Sequence, residues 1–104
     1  MKAVRVTIRK YVDSAVPGWV ECTFVEASGR EVRLVEKVPV VTEADLGPDS
    51  HYPQPGIIAC EVLGTHRDSE GRDLATISTV EPWGIESAEG RTEFEVPCEQ
   101  LLEI

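Results

Sequence analysis

Three cysteines and two histidines carry most of the reactive chemistry available to this 104-residue chain, and their spacing gives little support for catalysis. Cys22, Cys60 and Cys98 form no C-x-x-C pair, and an odd count is a poor disulfide framework. That usage suits a reducing, cytoplasmic setting. The cysteines are 38 residues apart, but VECTF, IACEV and VPCEQ share nothing beyond the cysteine itself, so no repeat is inferred. His51 and His66 fall at no zinc-ligand spacing, so neither a metal nor a cofactor is expected.

Nucleophilic catalysis needs a thiol or hydroxyl, a base and a group that orients the base. Cys60 with His51 or His66 is the one pairing of that kind. The strand pattern turns Cys60 inward and places His66 near a turn, which keeps them apart. The chain has no G-x-S-x-G elbow, no H-E-x-x-H and no phosphate-cradling glycine loop. Glu93 and Glu95 share a strand face opposite a buried one. They are read as solvated, or as partners of Arg5 and Arg9 if the first and last strands adjoin.

Charge says more. The net charge is −9, and it is unevenly spread. Residues 1–40 hold seven basic and five acidic side chains, whereas residues 41–104 hold three and fourteen. An acidic surface repels a phosphate backbone and an anionic bilayer alike, so neither nucleic acid nor membrane is an expected partner. No apolar run approaches the length of a bilayer span, and MKAVRVTIRK alternates instead of forming a signal-type apolar block.

The elements that must position these residues are strands. Val4, Val6 and Ile8 alternate with Arg5, Thr7 and Arg9, which marks one buried and one solvated face. Val20, Cys22 and Phe24 repeat the pattern, followed by Val32 and Leu34. The phase slips across Val35-Glu36-Lys37, where a bulge would restore the inward face, and Pro39 places that end at an edge or corner. IIACEVLGTH reads as a largely buried strand, LATISTV as another, and TEFEV as the last clear one. SGRE, EGRD and EGRT are glycine turns between hairpins, each arginine being compensated by nearby acids. Thr42-Glu-Ala-Asp45 has the form of a capping box opening a helical turn. In VPCEQLLEI, Pro97 and Glu99 favour a helical turn over an edge strand, with Leu101 and Ile104, three apart, docking on the barrel end.

One all-β domain over residues 1–104 follows. It is a six-stranded antiparallel, partly open barrel or roll of OB-like or SH3-like layout, with at most one or two short helical turns. Hairpins follow one another in sequence. Trp19 and Trp83 either cap the barrel core or stand at the surface as interface anchors. The segment 42–56 is long for a connection in so small a domain, and its prolines stiffen it. Its P-Q-P spacing is not P-x-x-P.

The function expected from these features is a non-catalytic protein-binding module. It recognises a basic protein through its acidic second half and the 42–56 loop, with His51, Tyr52, Trp83, Glu86 and Glu89 as candidate contacts. Bacterial immunity proteins are one class compatible with that charge, although no motif singles them out. The alternative is a small-molecule-binding or catalytic barrel with a site near His51, His66 or Cys60. Self-association through exposed strand edges is a further expectation.

Overall fold

A computed structural model describes all residues, 1–104. The chain forms strands β1 (Lys2–Asp13), β2 (Trp19–Val25) and β3 (Glu31–Lys37), then one helical turn, α1 (Val38–Val41). Strands β4 (Gln54–Arg67), β5 (Asp73–Ser78) and β6 (Glu93–Pro97) follow, then a 3-10 turn, Cys98–Gln100, and a short β7 (Leu101–Glu103). The antiparallel order is β3-β2-β1-β4-β5-β6, with β7 beside the start of β1, and the six main strands curl into a half-barrel. No helix is long and apolar enough to cross a membrane.

Hairpins are therefore sequential only within each half. Strands β1–β3 and β4–β6 are two meanders, and residues 38–53 carry the chain back so that β4 lies along β1. Strand β4 bridges the halves, since Gln54–Cys60 pair with β1 and Glu61–Arg67 with β5. Irregularities in β1, after Ile8 and after Tyr11, and in β4, after Val62, bend the two longest strands.

The inward faces are those the period of two predicts: Val4, Val6 and Ile8, then Val20, Cys22 and Phe24, then Val32 and Leu34 are all buried. Ile58, Ile77, Ile85, Phe94 and Val96 complete the core, where Phe24 and Phe94 meet edge to face at 5.2 Å. Beyond Cys60 strand β4 is mostly exposed, so only its first half is a buried strand.

Several local expectations are corrected. No bulge interrupts β3; its register with β2 runs unbroken from Val25↔Glu31 to Trp19↔Lys37. The phase is recovered instead by α1, which coils so that Val38 and Val41, three residues apart, both turn inward. Thr42-Glu-Ala-Asp45 opens no helix. Thr42 closes α1, its amide donating to the Val38 carbonyl, because the apolar pair able to bury a helical face lies before it. The tail uses both of its options, turn and then strand, and Ile104 stays exposed while Leu101 packs on the core. The first and last main strands do not adjoin, since β1 is central and β6 is at the far edge.

Gln54, Pro55 and Gly56 also belong to β4, opposite Ile8, Thr7 and Val6, which shortens the connecting loop. Gly56 is required there by space. A Cβ would lie 2.9 Å from Ile8 Cδ1 and 3.0 Å from the Val41 carbonyl oxygen, where α1 presses on the sheet. Gly56→Ala is therefore expected to destabilise the fold by about 1–3 kcal/mol. Urea denaturation checks this, and an unchanged midpoint would show that α1 yields freely.

Two backbone hydrogen bonds cross the open side of the half-barrel. Ala27, in the β2–β3 turn, donates to the Glu95 carbonyl at 2.8 Å, and Ala88 donates to the Arg33 carbonyl at 2.8 Å. Ion pairs reinforce both. Arg91 grips Glu26 through two hydrogen bonds of 2.6 and 2.8 Å, and Arg30 Nη2 lies 2.6 Å from both Glu89 carboxylate oxygens.

Candidate functional site

The candidate contacts of the sequence divide between two loops that share no hydrogen bond or ion pair. His51 and Tyr52 lie on the connection before β4, and Trp83, Glu86 and Glu89 on the loop 79–92 between β5 and β6.

The first loop is tied to itself. Gly47 donates to Ser50 Oγ, and the Tyr52 hydroxyl donates to the Gly47 carbonyl at 2.8 Å. Tyr52 packs its ring on the core, and burial pushes its phenol pKa up. Leu46 is buried beneath the loop. His51 is exposed, its carbonyl accepting from the Gln54 side chain.

The second loop is pinned more firmly. Thr79 donates to the Thr92 carbonyl from its amide and, at 2.6 Å, to the Ile85 carbonyl from its hydroxyl. Ile85 donates back to the Thr79 carbonyl, and Gly84 to the Val80 carbonyl at 2.7 Å. Gly84 has φ 62°, a left-handed turn that favours glycine. Ile85 inserts into the core at 1% exposure, and the turn around it thrusts Trp83 outward at 60%. Trp83 is thus a surface residue, not a cap on the barrel core. Trp19 is half-buried, with the Lys37 ammonium 5.6 Å from its ring centre. Glu81 and Glu86 flank Trp83, are exposed and form no ion pair, whereas Glu89 is engaged by Arg30.

The reactive groups do not converge. Burial, aided by the charges of Glu36 and Glu21, pushes the Cys22 thiol up to about 12, and burial raises Cys60 as well. Neither thiol is held as a nucleophilic thiolate. Cys60 pairs with Lys2 and His66 with Leu74, six residues or about 20 Å further along β4. His66 Nε2 lies 3.0 Å from a Glu95 carboxylate oxygen. No group of three histidine, cysteine or acidic residues is placed to hold a metal ion.

A concavity of about 890 Å³ is a groove on the outer face of β1. Arg5, Thr7 and Arg9 form its floor with Thr23 and Val25 of β2 and Ile57 of β4. Gln100 and Leu102 wall one side, and Thr42, Glu43, Pro53 and Gln54 the other. None of His51, His66 and Cys60 lines it. The arginines do not meet Glu93 and Glu95. Arg5 Nη1 donates to the Glu99 carbonyl and Arg9 Nε to Thr23 Oγ1, each at 2.8 Å. Sequence reasoning missed this groove, although the outward phase of Arg5 and Arg9 in an acidic chain was a readable signal.

Fold and sites together define an all-β half-barrel that presents an exposed tryptophan on a hydrogen-bonded loop and a groove lined by two arginines. No protein-family model matches the chain, no curated protein matches its sequence, and no solved structure matches it.

Proposed function

We infer that the chain is a non-catalytic protein-binding module whose principal contact surface is the acidic 79–92 loop, with Trp83 as its anchor. One observation carries this reading: a tryptophan 60% exposed on a loop held by its own hydrogen bonds and by a buried isoleucine. An aromatic presented rigidly loses little entropy on binding, and interface hot spots are enriched in tryptophan. The carboxylates of Glu81 and Glu86 beside it have no internal partner, which fits a basic protein. His51 is an exposed residue on the neighbouring connection, while Tyr52 serves mainly to hold that connection in place.

Affinity capture from the native lysate at low and high salt tests the reading. The wild-type chain should retain a basic protein that high salt releases. Trp83→Ala should weaken that complex by about 2 kcal/mol, roughly thirtyfold, while leaving the melting temperature unchanged. Retention of an acidic protein, salt-insensitive binding, or equal binding by Trp83→Ala would each overturn it.

A further inference from the structure

We propose that the groove on the outer face of β1 is a binding site for a small amphipathic organic anion, with Arg5 and Arg9 as its charge contacts. The site is separate from the Trp83 loop and does not depend on the role proposed for that loop.

The arginine pairing pattern is the first observation. Of seven arginines, five sit against carboxylates: Arg30 with Glu89, Arg33 with Glu21, Arg67 with Asp73, Arg72 with Asp68 and Arg91 with Glu26. The two that form no ion pair are Arg5 and Arg9, and both line the groove on the outer face of β1. In a chain of net charge −9, carboxylates outnumber cations nearly two to one, so leaving these two unpaired on one face is not a shortage of partners.

Preorganisation is the second. A guanidinium carries five N–H donors. Each of these two commits one to a fixed neutral acceptor, the Glu99 carbonyl or the Thr23 hydroxyl, which orients the planar group and leaves its other donors to a ligand. They stand four residues apart on β1, and Thr7 between them in sequence also lines the groove.

Size and lining set the ligand class. A volume of about 890 Å³ suits a ligand of metabolite or drug size. Val25, Ile57 and Leu102 add apolar lining, so the complement is an apolar body bearing carboxylate or phosphate groups. Glu43 is the one carboxylate at the rim and disfavours a ligand that is charged all over. A nucleic acid is disfavoured more strongly. A polyanion runs past the groove and meets the surrounding negative charge, whereas a small anion feels mainly the charges within about 8 Å.

Titration of the purified chain with naphthyl phosphate, naphthoic acid and neutral naphthalenemethanol, followed by amide NMR shifts, tests the proposal. At least one anion is expected to bind, shifting the amides of Thr7, Ile57 and Leu102, with the neutral probe at least tenfold weaker (about one charged hydrogen bond). Comparing the two anions shows whether phosphate or carboxylate is preferred. Arg5→Gln and Arg9→Gln should each weaken binding by about tenfold, and Arg67→Gln, outside the groove, should not. Melting temperatures confirm that the variants fold, and Arg5→Lys, which keeps the charge, serves as a conservative replacement that should retain part of the affinity. Equal binding of the neutral probe, unchanged binding in the Arg5/Arg9 double variant, or tighter binding of a single-stranded oligonucleotide would each overturn the assignment.

Discussion

Replacing Arg91 with alanine is expected to destabilise the fold by about 2–3 kcal/mol, or roughly 8–20 °C in melting temperature for a domain of this size. Glu26 is 9% exposed, so removing its bidentate partner strands a nearly buried carboxylate. The guanidinium also lies 4.8 Å from the Phe94 ring centre, so the substitution removes packing as well as charge. The lost contact lies across the open side of the half-barrel, beside the Ala27–Glu95 hydrogen bond, and amide exchange should rise there first. Glu26→Gln keeps the shape and should cost less, about 1–2 kcal/mol.

Acid should reveal the same pair. The hydrogen bonds from Arg91 hold the Glu26 carboxyl below its ordinary value of 4.5. A carboxyl depressed in the folded state contributes stability that is complete above its unfolded pKa and is lost as pH falls through the folded one. The stability difference between wild type and Glu26→Gln should therefore be constant near neutrality and shrink below about pH 4.5. Asp68 and Glu103 are also depressed, but both proteins share them, so they cancel in the difference. A gap that stays constant down to acid unfolding would show that the pair carries no linkage. Urea melts across pH measure it.

Ile85→Ala should be costlier still, about 3–4 kcal/mol. Its side chain is the large apolar anchor of the 79–92 loop and is fully enclosed by the core. Truncation leaves a cavity and removes the contact that offsets the entropy of ordering the loop. Ile85→Val should cost about 1 kcal/mol. Exchange at the Gly84 and Ile85 amides, both donors inside the loop, should accelerate in the alanine variant beyond the change in global stability. Should only global stability change, the loop is ordered by its hydrogen bonds alone. Under the proposed binding role, loss of the anchor should also weaken partner capture through Trp83, since the ring would no longer be presented in one orientation.

Three similar turns show where local sequence stops being informative. SGRE, EGRD and EGRT each turn at a glycine of positive φ, as their composition predicts. Their arginines behave differently. Arg72 bonds Asp68 within its own turn, the local compensation expected of all three. Arg30 reaches Glu89 and Arg91 reaches Glu26, 59 and 65 residues away, because the half-barrel curls those turns against each other. Likewise, the phase slip after Val35 was visible in the pattern. A bulge and a helical turn both repair it, and only the buried space under Val38 and Val41 selects the turn.

By itself, the sequence determined what depends on near neighbours. Alternation places Val4, Val6, Ile8, Val20, Cys22 and Phe24 inward, glycines mark the hairpins, and together they specify an all-β, six-stranded antiparallel sheet that curls into a partly open barrel or roll. It also determined that Arg5 and Arg9 point outward and that the second half is acidic. Only the tertiary structure decided which strands adjoin, that β4 lies along β1, that Trp83 stands out while Ile85 goes in, and that a groove forms around the two arginines left without carboxylates. The reason is range. Face and turn follow from backbone geometry over a few residues, whereas strand partners, seams and concavities come from contacts between segments far apart in the chain.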